Sequence, residues 1–202
     1  VEFEIGQQLP RLTAFIDLDL QRPDFKVVAC EQKYLVNIGP IQLYLKLDRQ
    51  DELADGRKFV IDYKTGFISR QAWNPAKPRD MQLPLYVSTV VPDAAAVAFA
   101  QISVLGIQYD GVGVADSGIP GIRSPGSRPR IEVKYQSPQN DAVIHSWEEL
   151  REAWAELLQS LAQRFAAGDY RLDPKNPASA RGQFAVLSRF YDTDSGLYDD
   201  ES

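Results

Sequence analysis

Three consecutive strand-like segments, joined by tight turns, constrain this chain more than any other feature. Phe25 to Ile38 is rich in Val and Tyr, and Gly39-Pro40 supplies a turn after it. Ile41 to Asp48 (IQLYLKLD) alternates apolar and polar residues, the mark of a half-buried strand. Asp55-Gly56 is a strong turn signal, and Lys58 to Lys64 (KFVIDYK) reads as a third strand stopped by Thr65-Gly66. Short connections leave only antiparallel pairing open to such neighbours, so the segment is expected to be a meander.

Helical periods flank it. From Gln7 to Arg22, Leu9, Leu12, Phe15, Ile16 and Leu20 fall on roughly one face, and Pro23 ends the run. Asp80 to Val91 predicts a second helix, with Pro84 tolerated in its first turns. Ala94 to Leu105 is small and apolar throughout and predicts a buried strand beside the meander. Ser146 and Glu149 form a capping box before a third helix, whose apolar face is Trp147, Leu150, Trp154, Leu157, Leu158, Leu161 and Phe165. At this spacing Trp147 and Trp154 are core residues, and Gly168 ends the helix. Residues 108–130 carry many Gly, Ser and Pro residues and predict a long surface excursion. The tail from Asp169 is first Pro-rich, then aromatic, and acidic over 192–202. The order helix, three strands, helix, strand, helix predicts an α/β sandwich with a mixed sheet.

With 202 residues, one core and a single domain over 1–202 are expected; a first residue of Val suggests a piece of a longer protein. Cys30 is the only cysteine and His145 the only histidine, which excludes an internal disulfide, multi-cysteine metal sites and His-rich zinc sites. Cys30, in a Val-rich strand, is expected to be buried and inert, and His145 to be a loop residue. No apolar run is long enough for a bilayer and no leader opens the chain, so a cytoplasmic protein without a membrane partner is expected. The net charge of −6 argues against coating nucleic acid by charge alone.

Asp62 and Lys64 stand two apart on a strand and project from one face, while Tyr63 points the other way, toward Phe59 and Ile61. Pairing through the Asp55-Gly56 turn brings Asp48 beside Asp62. Two carboxylates so close repel unless a cation lies between them. With Lys64 beside them, they make a set suited to metal-assisted phosphodiester hydrolysis. A solvent-exposed, salt-bridged face accounts for the same spacing, and by spacing alone it is the commoner arrangement.

The surrounding residues shift that balance. Leu47-Asp48-Arg49, followed fourteen positions after Asp48 by Asp62-Tyr63-Lys64-Thr65-Gly66, resembles the G-x-[IV]-D-R-[IV]-D and [IV]-D-Y-K-[ST]-G motifs of RecB-type nucleases. Gln82-Leu83-Pro84-Leu85-Tyr86 resembles the Q-L-x-x-Y motif of the same family. Three motifs in order over Glu31 to Tyr86 resemble a PD-(D/E)XK nuclease domain of the RecB/AddB-like exonuclease kind. The resemblance implies a restriction-endonuclease-like three-layer sandwich, a central mixed sheet flanked by helices. It implies a metal-dependent deoxyribonuclease of DNA repair and recombination, exonuclease rather than endonuclease. Mg²⁺ is the implied ion, with Mn²⁺ as substitute; DNA is the substrate, and a helicase, or a helicase-like region of the parent chain, is the partner. Asp48, Asp62 and the backbone carbonyl of Tyr63 match metal ligands, with Glu31 in support. Lys64 matches the lysine that orients or activates the attacking water, and Gln82 and Tyr86 the residues that hold the site and contact the strand. Arg49, Arg70, Lys77 and Arg79 are expected at the DNA, and Arg123, Arg128 and Arg130 are solvated loop residues before they are DNA contacts.

Two departures stand out. Family members often carry a histidine on the helix before the meander; here only Asp17 and Asp19 are placed to replace it. AddB-like relatives end on a cysteine cluster, where this chain has Ser179, Gly182 and Ser188 before Arg189. Those residues cannot hold an iron–sulfur cluster, so none is expected, and Phe184, Leu187, Phe190 and Tyr191 would pack the tail instead. Both departures support an alternative, a weak or inactive nuclease fold kept for DNA binding or assembly with a helicase. A restriction-type endonuclease or a CRISPR-adaptation nuclease is a third reading, the latter disfavoured by the missing cysteines.

Overall fold

A computed structural model of the chain describes residues 2–126, 135–137, 139 and 142–169, with side chains from residue 8 onward. The chain divides into two compact units, Val1–Gln163 and Arg164–Ser202. In the second, Arg164 Nε pairs with Asp169 Oδ2 at 3.0 Å and the Gly168 amide caps on the Phe165 carbonyl. The expected packing of Phe184, Leu187, Phe190 and Tyr191 and the acidic stretch 192–202 lie outside the described residues.

The first unit runs α1 (Glu2–Asp19), β1 (Phe25–Ile38), β2 (Ile41–Leu53), β3 (Lys58–Lys64), a 3-10 turn (Arg70–Trp73), α2 (Gln82–Thr89), β4 (Ala94–Ser103), β5 (Gly106–Gly113) and β6 (Ile122–Arg123), and then α3 (Trp147–Ala166), which carries on into the second. The strands form one sheet in chain order. β1, β2 and β3 make the antiparallel meander. β4 is parallel to β3, the connection through α2 returning the chain to the same end, β5 is antiparallel to β4, and β6 is parallel to β5.

β4 explains the layering. Val97 and Phe99 face a core with Trp73, Leu83, Tyr86, Val87, Trp147, Leu150 and Trp154. Ala96, Ala98 and Ala100 face another with Phe15, Phe59, Ile61 and Tyr109. Both faces of the central strand are therefore covered, α1 on one side and α2 with α3 on the other, an α/β three-layer sandwich with a mixed sheet. The indole N–H groups of Trp147 and Trp154 donate to the carbonyls of Ala94 and Trp73 at 2.9 and 2.7 Å, which fixes both tryptophans as core. Ser146 Oγ accepts from the Glu149 amide at 3.1 Å, and the Glu149 carboxylate returns to the His145 amide at 2.9 Å, so the capping signal is real.

Several expectations need correcting. Residues 108–113 are strand, not excursion. Leu9, Leu12, Ile16 and Leu20 of the first helical run are exposed; only Phe15 and, partly, Leu18 reach the core. A sheet face of alanines admits a narrow stripe, not a broad one. Cys30 is exposed, because β1 is the edge strand. Among the described residues no helix is long and apolar enough to cross a membrane.

Candidate active site

The site lies where β2 and β3 part. Their ladder ends at Arg49↔Ile61, yet β2 starts at Ile41 and β3 runs on to Lys64. Beyond the last pair, Asp48 Oδ2 accepts a hydrogen bond from the Tyr63 amide at 3.0 Å and holds the two strands together. Alternation sends Val60, Asp62 and Lys64 toward the α2 side and Phe59, Ile61 and Tyr63 toward α1.

Asp48 reaches the α2 side because the hairpin turns over at its level. Leu43, Leu45 and Leu47 pack toward α2 and α3, whereas Arg49, Asp51 and Leu53 face α1. All are odd-numbered, so one reversal falls between Leu47 and Arg49, at Asp48. Across the ladder Glu31, between the pairs Cys30↔Arg49 and Gln32↔Leu47, has φ +52°, the one positive φ on a non-glycine among the described residues. A left-handed residue costs about 1–3 kcal/mol, and such strain persists where the surroundings impose it.

Asp62 is only 2% exposed. Its Oδ2 lies 2.7 Å from Lys64 Nζ, a charge contact whose angles do not make a hydrogen bond, and among the described residues that oxygen has no other partner. Burial raises the Asp62 pKa; Lys64 opposes this, but the charges of Asp48 and Asp80 add to it and the net shift is upward. Burial disfavours the Lys64 ammonium, yet Asp62, Asp80 and Asp48 outweigh it and hold the amine charged.

α2 supplies the rest. Gln82 and Tyr86 share a face, as their spacing requires, and Gln82 Nε2 donates to the Tyr86 hydroxyl at 3.5 Å. The Tyr86 hydroxyl donates to the Lys46 carbonyl, tying α2 to β2 beside the site. Asp80, which sequence reasoning passed over as a helix-start residue, accepts from the Gln82 amide at 3.0 Å and stands 3.9 Å from Lys64 Nζ.

Other expected residues lie elsewhere. Glu31 is exposed and pairs with Lys46, not with the Asp62–Lys64 pair. Arg49 is 7% exposed and bound to Asp51 and Asp19, turned from solvent. Arg70 pairs with Asp110 at 2.5 Å. Lys77, Arg79 and Arg123 are exposed; Arg128 and Arg130 lie outside the described residues. Asp19 faces Arg22 and Arg49 on the α1 side of the sheet and does not take the place of the missing histidine.

Among the described residues no three Asp, Glu, His or Cys side chains are grouped to enclose a metal ion by themselves. Mg²⁺ asks for less: one or two carboxylates, with waters completing its shell. The orphaned Asp62 oxygen and the mutual repulsion of Asp62, Asp48 and Asp80 are what a divalent cation would relieve, so the donor set fits one.

A mixed sheet between helical layers, with paired aspartates and a lysine at the parting of two strands, defines a restriction-endonuclease-like α/β protein. A family model of the PD-(D/E)XK nuclease superfamily matches residues 5–180, and the chain belongs to that superfamily. Nucleases of this superfamily usually work with divalent metals. No curated protein matches the chain.

Proposed function

We propose that this domain hydrolyses DNA phosphodiester bonds with one or two Mg²⁺ ions, Mn²⁺ serving in their place. The observation that carries the reading is the buried, unsatisfied Asp62 carboxylate set against Lys64 and near Asp48, in a fork open at the ends of two strands. Asp48, Asp62 and the Tyr63 carbonyl would hold the cation; Glu31, engaged with Lys46, is left out of the set. When bound, such an ion lowers the pKa of a water and offsets charge developing on the phosphate. Lys64 presents its ammonium to the nucleophile and the phosphate. Gln82 and Tyr86 hold β2 in place through the Lys46 carbonyl. Lys77 and Arg79 offer exposed cations to the strand. The motif order from Leu47 to Tyr86 supports an exonuclease of the RecB/AddB-like kind, acting in repair or recombination with a helicase partner or a helicase-like region of its own parent chain.

The test is incubation of the chain with single- and double-stranded DNA and Mg²⁺ or Mn²⁺, beside Lys64→Ala and Asp62→Ala. Cleavage by the wild type, lost in both variants, supports the reading; cleavage that persists in them removes it. One observation favours a second reading, a nuclease fold kept for binding or assembly: Asp19 is spent on the far side of the sheet, and the upstream histidine is not replaced. DNA binding without cleavage would select that reading.

A further inference from the structure

We propose that Arg49 and Tyr63 form a clamp on the α1 face of the sheet that sets the spacing of Asp48 and Asp62 on the other face for a divalent cation. The inference rests on the reading above, that this aspartate pair holds the ion. Arg49 follows Asp48 in sequence, and Tyr63 follows Asp62. Consecutive side chains on a strand point to opposite faces, so a bond between Arg49 and Tyr63 on the back fixes their neighbours on the front.

That bond exists: Arg49 Nη1 donates to the Tyr63 hydroxyl at 3.2 Å. It falls where the β2–β3 ladder has already ended, at Arg49↔Ile61. With Asp48 on the Tyr63 amide, Tyr63 is tied to β2 twice, by its backbone and by its ring.

A clamp must itself be rigid, and Arg49 is. Its Nε and Nη2 donate to the two carboxylate oxygens of Asp51 at 2.7 and 3.0 Å, and Nη2 lies 2.9 Å from Asp19 Oδ2. Arg22 Nη1 closes the ring, 2.6 Å from Asp19 and 2.8 Å from Asp51. Its guanidinium carbon sits 3.9 Å from the Phe25 ring centre. The Tyr63 ring meets Phe15 edge-on at 5.8 Å. Hydrophobic side chains of the same volume hold a fold together as well as buried ion networks do, so stability alone does not call for this one. Fixing the geometry of two carboxylates does. Arg49 and Tyr63 are thus positioning residues, acting through Asp48 and Asp62.

Tyr63→Phe isolates the effect, since it removes the hydroxyl and keeps the ring against Phe15. Mn²⁺ binding to the full chain is measured by calorimetric titration for the wild type, Tyr63→Phe, Arg49→Lys and Asp62→Ala, with melting curves of each and kcat and KM on DNA. Outer contacts of metal ligands typically carry 10–100-fold in affinity or activity. Tyr63→Phe is expected to weaken Mn²⁺ binding about tenfold and lower kcat, with KM for DNA and the melting temperature little changed. Arg49→Lys, which keeps the charge and loses the planar fork, is expected to do the same. Unchanged Mn²⁺ affinity in Tyr63→Phe overturns the clamp and leaves the proposed function standing. Weakened binding matched by a general loss of thermal stability also overturns it. A wild type that binds no Mn²⁺ overturns the proposed function together with the clamp.

Discussion

The Asp48 carboxylate accepts the Tyr63 amide hydrogen at 3.0 Å, one step beyond the last pair of the β2–β3 ladder. One oxygen of Asp48 is therefore committed to the backbone, and the other is left for chemistry. Asp48→Asn retains an acceptor for that amide, whereas Asp48→Ala leaves it without one. We expect both variants to lose cleavage, but only Asp48→Ala to lose stability, by about 1 kcal/mol. For a chain of this size that is roughly 2–4 °C in melting temperature, readable by scanning calorimetry. Equal melting temperatures would show that Asp48 does not hold β3.

Asp62 works against the fold. Its pKa is raised in the folded chain, by burial first and then by Asp48 and Asp80, against the pull of Lys64. A carboxyl with a raised folded pKa costs nothing below its unfolded value near 3.8, and the cost sets in as pH rises through the folded value. At neutral pH in EDTA, Asp62→Asn is expected to be more stable than wild type by about 1 kcal/mol, while losing activity. Mg²⁺ should reverse the order. At a hundredfold excess over its dissociation constant it would stabilise the wild type by about 2.7 kcal/mol and leave Asp62→Asn unmoved. Equal Mg²⁺ responses in thermal melts would place the ion elsewhere.

Asp19 has the opposite sign. Burial raises its pKa, but hydrogen bonds from Arg22 and Tyr109 and the charges of Arg49 and Arg22 outweigh it, so the folded value lies below 3.8. Its contribution is full above the unfolded pKa and is lost as pH falls through the folded one. Urea unfolding between about pH 6 and pH 2 should show wild-type stability falling below about pH 4 more steeply than that of Asp19→Asn. Parallel curves would remove Asp19 from the acid response.

The β4–β5 pair leaves no room for side chains at two positions. A Cβ on Gly111 would stand inside van der Waals contact with the Val97 carbonyl oxygen and Ile122, and 2.7 Å from Ala98 Cβ. Backbone cannot yield as a flexible side chain can. Gly111→Ala is expected to cost about 3 kcal/mol. Gly56→Ala, at a turn with nothing within 4 Å, meets only the strain of its φ of +84° and should cost less. Denaturant midpoints of the two variants check the order.

Those glycines also explain why part of the fold was hidden in the sequence. GIQYDGVG reads as loop because Gly111 and Gly113 break any apolar period, yet they are there because the Ala98 and Ala96 backbone lies so near. The meander was plain, since alternation and turn residues agreed from Phe25 to Lys64. The shared face of Asp62 and Lys64 followed from strand geometry, and the Gln82–Tyr86 relation from one helical turn. Arg49 could not be read: whether an arginine meets phosphate or a buried carboxylate depended on Asp19, Arg22 and Asp51, brought together only by folding. Asp80 stayed out of view because an aspartate two residues before a helix looks like a cap, and it is one, with a second oxygen turned to Lys64.

Tyr86 separates holding from touching. The residue is 2% exposed, and its hydroxyl donates to the Lys46 carbonyl while Gln82 donates to it. A group so placed shapes β2 beside Asp48 and has little surface to give to DNA. Tyr86→Phe removes the donor and leaves the ring in the core, so the loss should be about 1 kcal/mol of stability, the ordinary worth of one hydrogen bond. Turnover should fall about tenfold, as for other groups that orient metal ligands at one remove. DNA affinity, measured by fluorescence anisotropy in a Lys64→Ala background so that no strand is cut, should stay within about twofold, since about 0.4 kcal/mol is all such a ratio amounts to. Weaker binding with unchanged turnover would mean that Tyr86 meets the strand directly and that the Lys46 tie is incidental.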